Sequence, residues 1–267
     1  MKNFIRASNI KLLKSSAVRI GCVVLFAIAS LGNLIFYGAL KILTGDIIEK
    51  AGGYDTDMDA FRDINMLDAG AIALSLMQVL SLVIAIVVTV HIANEKRNGV
   101  YSFISARGYS RFHIYADKLY ESTIMSFVMY LSYTAGAVLS GAFFWHGDIT
   151  GEMILGFIIM FITVALLYIA AGYIFTAIAI NIKSGGAAIA INIVIVVIFS
   201  ALVTIVDKSL WEDKIVLRSW WLFSAIEQYA YLEMTIKEIF IVLANAVIYG
   251  LGAAFAGGKI YAKSEMK

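Results

Sequence analysis

The stretch that decides the fold is "EKRNGVYSFISARGYSRFHIYADK", residues 95–118, a basic segment with two glycines between two long apolar runs. The whole chain of 267 residues is 61% hydrophobic and only 15% charged, with a mean hydropathy of +0.86. A soluble globular protein carries more charged surface than this. The composition therefore predicts an all-α membrane protein that crosses the bilayer several times.

Six runs of the chain lack Asp, Glu, Lys and Arg and are long enough to cross a bilayer, which takes about 20 apolar residues. We expect them to form six transmembrane helices of a single transmembrane domain covering residues 1–267, with residues 1–18 as an amphipathic helix at the membrane surface. The predicted spans are 20–40, 69–94, 122–145, 153–180, 187–206 and 239–258.

The segments between the predicted spans alternate in charge. One set, which includes both termini and residues 95–118, holds 14 of the 21 Lys and Arg residues. The other set holds most of the acids, with seven in residues 41–68. Because positive segments stay in the cytoplasm, both termini and the 95–118 segment are predicted to be cytoplasmic and the acidic loops to lie outside.

The 95–118 segment has an internal pattern of its own. Val100, Phe103 and Ile104 share a face at helical spacing, and Gly108 offers a break after them. This predicts a short helix from about 99 to 106 with an apolar face, suited to docking into a groove of another protein. The plain alternative is that the basic residues anchor helix ends at anionic headgroups.

These residues resemble the link between the second and third spans of ABC-2 type permeases, the membrane subunits of one class of ABC exporter. The matching features are Glu95, Gly99, the short helix, "RGYSR" at 107–111, and Lys118. The layout of spans and termini is also similar to that family. The segment looks more similar to permeases for antimicrobial or cytolytic peptides, such as bacitracin, lantibiotic-immunity and phenol-soluble modulin exporters, although it lacks the proline of many relatives.

The resemblance implies a division of labour between subunits. The chain has no G-x-x-x-x-G-K-[ST] motif, so it holds no ATP site of this kind and we expect neither enzyme activity nor a cofactor of its own. A separate cytoplasmic ABC ATPase subunit would bind ATP and Mg, and a second permease copy, identical or paralogous, would complete a dimer in a bacterial plasma membrane. Lipids are the other expected partner, and nucleic acid is not. The residues implied in ATPase coupling are Glu95, Arg97, Gly99, Tyr101, Phe103, Arg107, Arg111 and Lys118.

Polar residues inside the predicted spans are few. Ser75, Gln78 and Ser81 are candidates for lining a translocation pathway between two subunits, or for hydrogen bonds that hold helices together, as for Asn33, Asn192 and Asn245. No acid lies inside a predicted span, which disfavours a proton-coupled carrier. The three histidines are scattered and no acid stands near them at ligand spacing, so neither a metal site nor a catalytic constellation is expected.

Residues 207–238 mix aromatic and charged side chains, which favour the headgroup region. We expect short helices lying in the outer interface, which either gate the exit of a hydrophobic cargo or simply anchor the chain. The candidate exit-gate residues are Trp211, Trp220, Trp221 and Phe223.

The function that these patterns and the resemblance favour is the permease subunit of an ATP-driven exporter of amphipathic or antimicrobial peptides. One alternative is an exporter of a small hydrophobic drug or a lipid. Another is an ATP-independent carrier or channel with six spans, and a third is an intramembrane enzyme or a sensor subunit.

Overall fold

The computed structural model describes residues 8–12, 14–44, 64–75, 78–211 and 217–263. Every regular element in these ranges is a helix. Residues 8–12 form a short N-terminal helical segment, and a π-helix, Val194–Phe199, joins α7 to α8 without a break. The α-helices are α1 (Ser16–Thr44), α2 (Met66–Ser75), α3 (Gln78–Arg97), α4 (Val100–Ala106), α5 (Arg111–Phe144), α6 (Gly151–Asn181), α7 (Gly185–Ile193), α8 (Ser200–Trp211), α9 (Leu217–Trp220), α10 (Leu222–Gln228) and α11 (Ile236–Lys263).

Six helical stretches are long and apolar enough to cross a membrane, which confirms the predicted number of spans. Large apolar side chains cover their outward faces, and Ile35, Phe143 and Ile236 are among the most exposed. Such a surface suits hydrocarbon, in which backbone polar groups must be satisfied within the helix. The six stretches are Ser16–Ala39, Val79–Arg97, Arg111–Phe144, Gly151–Asn181, Gly185–Ser209 and Ile236–Lys263.

The third span begins earlier than its apolar run indicates. Ser110 caps α5, because its side chain accepts a hydrogen bond from the backbone N–H of His113 at 3.4 Å. The charged residues that follow are therefore helical. The helices extend past the apolar runs and carry acids there, since Asp117 and Glu121 lie on α5 and Asp207 on α8.

Two glycines with left-handed backbone geometry bracket α4. Gly99 precedes it with φ 68° and Gly108 follows it with φ 86°, a region that other residues rarely adopt. These turns reverse the chain between α3 and α5. We call residues 97–111 the elbow, the end of the bundle that contains it the elbow end, and the opposite end, with residues 145–152 and 229–235, the far end.

The bundle is arranged around α5 and α6. The helix α1 packs along α5, α11 packs along α6, and α3 contacts both. Three side-chain amides form hydrogen bonds between neighbouring helices, which is the structural role predicted for them. Asn33 donates to the carbonyl of Ala137 at 2.6 Å, Asn192 to Thr89 Oγ1 at 2.8 Å, and Asn245 to the carbonyl of Ser219 at 2.6 Å.

The segment before α11 differs from its prediction. Helix α10 contacts α2, α3, α6 and α11 instead of lying in the interface, and Leu222, Ala225 and Ile226 are almost completely buried. The apolar sequence "LFSAI" at 222–226 fills the bundle, so the interfacial expectation is wrong for this helix. Of the candidate gate residues, Phe223 is buried in it, Trp220 is exposed, Trp221 donates from Nε1 to Ser200 Oγ at 3.0 Å, and the side chain of Trp211 lies outside the described residues.

Candidate functional site

A cluster of charged side chains is buried at the elbow end. Lys118 Nζ lies 2.8 Å from Glu95 Oε2, 2.6 Å from Glu121 Oε2 and 3.1 Å from Asp117 Oδ2. Lys118 is 1% exposed and Glu121 0%. Buried charges survive only when they are paired, so this lysine holds together carboxylates from two spans, α3 and α5.

The N-terminal helical segment joins the same cluster. Lys11 makes an ion pair with Glu95 and donates to Glu121 Oε1 at 3.3 Å. Ser8 Oγ donates to Asp117 Oδ1 at 3.0 Å. Burial lowers the pKa of Lys11, and the neighbouring Lys118 lowers it further, while Glu121 acts in the opposite direction. The chain near its N-terminus is thus held against α3 and α5.

His91 completes the cluster, which we call the ion network and define as Lys11, His91, Glu95, Asp117, Lys118 and Glu121. The Nε2 atom of His91 lies 3.1 Å from Glu121 Oε2 and 3.6 Å from Glu95 Oε1. Ligand atoms of His91, Glu95 and Glu121 all lie within 4.8 Å of one another, so the expectation that no acid stands near a histidine at ligand spacing is wrong. The ammonium group of Lys118 already lies between the two carboxylates, where a metal ion would compete with it.

The base of the elbow is tied to other helices. Lys96 Nζ donates to the carbonyls of Ile180 at 2.9 Å and Ile182 at 2.8 Å, at the end of α6. A cation at this position satisfies carbonyls that a helix end leaves unpaired. Tyr101 of α4 is 5% exposed, and Lys118 Nζ lies 5.9 Å from the centre of its ring. The elbow is therefore fixed to α3 and α5, and the end of α3 that leads into it is fixed to α6.

The outer surface of the elbow is aromatic and basic. Phe103 is 58% exposed, and the guanidinium carbon of Arg107 lies 4.1 Å from its ring centre. Phe112, the residue directly after the elbow, is 63% exposed. Val100 and Ile104 instead pack against the core, so the apolar face predicted for Val100, Phe103 and Ile104 is divided between the interior and the surface. An exposed aromatic group stacked with Arg is typical of protein interaction sites.

The eight residues implied in ATPase coupling fall into two groups. Glu95, Tyr101 and Lys118 are buried, which corrects their assignment as direct contacts for another protein. They lie behind the contact surface and support it. The residues that remain accessible are Arg97, Gly99, Phe103 and Arg107, with Arg111 half-buried.

Sequence reasoning missed four members of the ion network, namely Lys11, His91, Asp117 and Glu121. Part of the ion network could have been predicted from sequence spacing. His91 and Glu95 stand four positions apart and Lys118 and Glu121 three apart, so each pair shares a helix face. The contribution of Lys11 comes from more than 80 positions away in the sequence and has no local signal.

Of the three candidate pathway residues, the structure describes the side chain of one. Ser81 is 2% exposed and lies beside Tyr168 of α6, so it faces the interior of its own chain and not a second subunit. The side chains of Ser75 and Gln78 lie outside the described residues.

The six apolar helices, the lipid-suited outer surface and the buried ion network define the class of this chain as a multi-pass α-helical membrane protein. Comparison with models of known protein families gives no match, and comparison with curated proteins gives no match either.

Proposed function

We propose that this chain is the permease subunit of an ATP-driven exporter of the ABC-2 type, which moves amphipathic or antimicrobial peptides out of a bacterial cell. The observation that carries the proposal is the elbow, which has an exposed aromatic and basic surface and joins α3 and α5 where Lys96, Glu95 and Lys118 tie α3, α5 and α6 together. A cytoplasmic ATPase subunit would dock on Phe103 and Arg107, and a second permease copy would complete the complex.

The geometry supports a route for mechanical force. A displacement of α4 acts first on Tyr101 and Lys118, which contact each other. Lys118 in turn bridges Glu95 of α3 and Glu121 of α5, so these two spans would move together with the elbow. Rigid-body motion of packed helices is a common way to transmit such a change. In this proposal the ion network acts as the joint between the docking surface and the spans.

An ATP-independent carrier is the second candidate, and one observation favours it. Three carboxylates, Glu95, Asp117 and Glu121, lie on the helices that contain the apolar runs, and two of them, Glu95 and Glu121, contact His91. Titratable groups are therefore present directly beyond those runs. All of them are engaged with lysine or histidine, and this pairing favours a structural role over ion coupling. A small drug or a lipid remains the alternative cargo within the ABC proposal.

The test is assembly with an ABC ATPase encoded beside the gene for this chain. The two proteins would be co-expressed and purified in lipid nanodiscs, and ATP turnover would be measured for the wild type and for Phe103→Ala combined with Arg107→Ala. We expect the double variant to bind the ATPase about tenfold more weakly or worse, and to lose ATP turnover accordingly. The reason is that truncating an exposed aromatic anchor and its Arg partner removes central contacts. Phe143→Ala is the matched control, because Phe143 is also exposed but lies at the far end.

Two results would reject the proposal. One is unchanged assembly and ATP turnover in the double variant. The other is full peptide transport by the purified chain alone in vesicles, which would favour the carrier. Orientation is checked in a Cys22→Ser background by labelling Ser102→Cys at the elbow and Ile149→Cys at the far end with a membrane-impermeant maleimide. Labelling of the elbow from outside intact cells contradicts a cytoplasmic docking site.

A further inference from the structure

A cavity of about 890 Å³ opens at the far end of the bundle. Its walls come from three parts of the chain, namely α2, the start of α6, and the loop between α10 and α11. The apolar side includes Ile72 and Leu232. Ligand sites in proteins are typically about 300–1,000 Å³, largely apolar, with a few polar groups that set specificity. The size and lining of this cavity match that description.

The charged groups of the cavity all have one sign. Asp68, Glu152 and Glu233 line it, and no Lys, Arg or His is found among the described residues that do so. Glu152 and Glu233 are exposed and Asp68 is half-buried. Carboxylates along a low-dielectric wall concentrate negative potential and attract cations. The cavity is therefore complementary to a ligand with both positive charge and apolar surface.

A single metal ion does not fit this lining. Within the described part of the chain, the only three His, Cys, Asp or Glu residues whose ligand atoms lie within 4.8 Å of one another are those at the elbow end. The carboxylates of Asp68, Glu152 and Glu233 thus do not converge on one point. Separated acids around an apolar wall suit an extended ligand with cationic groups at several positions.

The loop that forms one wall is held close to α6. A Cβ atom at Gly156 would lie 2.3 Å from the carbonyl oxygen of Leu232, so only glycine permits this approach. On the other side, Thr235 and Glu238 fix the start of α11, since the N–H of Thr235 donates to Glu238 Oε2 at 2.8 Å and the N–H of Glu238 to Thr235 Oγ1 at 3.4 Å. The position of Glu233 is thus determined by contacts on both sides of it.

We propose that this cavity is a binding site for a cationic amphipathic peptide segment, whose amino or guanidinium groups pair with Asp68, Glu152 and Glu233 while its apolar side chains contact Ile72 and Leu232. The inference rests on the proposed function, because it assigns positive charge to the exported peptide and a site that holds it before release. The elbow, at the opposite end, takes no part in this binding.

The experiment measures peptide binding to the full chain without any ATPase. The chain is placed in nanodiscs of zwitterionic phosphatidylcholine, so that the lipid itself does not attract cations. The probe is a short fluorescent amphipathic peptide of Leu and Lys, and the comparison is the same peptide with Glu in place of Lys. Fluorescence anisotropy gives the Kd, with empty nanodiscs as background.

We expect the Leu–Lys peptide to bind and the Leu–Glu peptide not to bind. Glu152→Gln combined with Glu233→Gln should weaken binding roughly fivefold to tenfold, the range for the loss of two partly exposed ion pairs. Asp148→Asn is the matched control, because Asp148 is an exposed acid of the far end that does not line the cavity. Gly156→Ala, which displaces the loop and keeps every acid, should also weaken binding.

The site is rejected if the Leu–Glu peptide binds equally well, if the double Gln variant binds normally, or if Asp148→Asn weakens binding as much. These outcomes are separable from the test of the proposed function. Normal binding by the double Gln variant together with elbow-dependent ATP turnover rejects the site alone. Acid-dependent peptide binding without any ATPase assembly leaves the site and rejects the exporter.

Discussion

The two ends of the bundle use charge in opposite ways. At the elbow end, the acids of the ion network are buried and each contacts a lysine or a histidine. At the far end, Glu152 and Glu233 are exposed and the cavity they line has no basic residue among those described.

The difference teaches where each set of charges can act. A buried, compensated network contributes mainly through the geometry that it enforces, because removing one member leaves another charge without a partner. Exposed acidic side chains contribute little to the stability of the fold and remain available to a ligand. In the function proposed above, the elbow end would therefore serve mechanical coupling and the far end recognition.

The largest expected effect is at the elbow end. Lys118→Met removes the buried ammonium group that Glu95 and Glu121 share, leaves them only His91 and the partly exposed Lys11, and should lower the free energy of unfolding by about 3–5 kcal/mol. Denaturant unfolding in detergent micelles measures it. Arg97→Met, which removes an exposed cation from the same end, is the control and should cost about 0.5 kcal/mol or less. Adding Glu121→Gln to Lys118→Met should recover part of the loss, and equal losses for Lys118→Met and Arg97→Met would contradict the comparison.

A second prediction concerns a buried acid that lies outside the ion network. Asp207 of α8 is 0% exposed and its carboxylate accepts hydrogen bonds from the N–H groups of Leu217 at 2.8 Å and Arg218 at 2.7 Å. Asp207→Ala should therefore cost about 2–4 kcal/mol in unfolding experiments, since it removes two charge-assisted hydrogen bonds at a helix start. Asp207→Asn retains one acceptor and should cost less. If Asp207→Ala is as stable as the wild type, these two hydrogen bonds have no structural role.

The smallest effect is expected for the acids of the cavity. Glu152→Gln combined with Glu233→Gln should change the free energy of unfolding by about 0.5 kcal/mol or less, because both side chains are exposed. The same unfolding assay applies, with Asp148→Asn as reference. A loss above about 1 kcal/mol would place these acids in the structural group and remove the distinction between the two ends.

Much of the fold could be predicted because lipid imposes a simple rule. A bilayer-spanning helix requires a long apolar run, and six such runs are present, so the number of spans followed from composition. The start of α5 could not be predicted from an apolar run, since the first residues of this helix include Arg111, Asp117 and Lys118. Charged residues at this position are equally typical of a loop. The burial of α10 was missed for a similar reason, because an aromatic and charged neighbourhood does not indicate which helix will cover "LFSAI".

The candidate site was predictable only where its signal is local. The position of α4 followed from glycine spacing and an apolar pattern, and the structure places it at Val100–Ala106. Which residues face outward did not follow, since Tyr101 turns inward to Lys118 and Phe103 outward. Contacts such as that of Lys11 with Glu95 depend on how distant helices pack, and a single sequence carries no local pattern for them.

The π-helix between α7 and α8 has a consequence for sequence length. Asn192 and Ser200 flank it and are both buried, at 0% and 4% exposed, although eight positions of a regular α-helix would turn them about 80° apart. The wider turn absorbs one extra residue and returns Ser200 to the inner side, where it accepts a hydrogen bond from Trp221. Deleting one residue from Val194–Phe199 would restore even winding while keeping both polar groups inward, whereas an insertion would rotate everything beyond it by about 100°. Shortening is therefore the change in length that this span can tolerate.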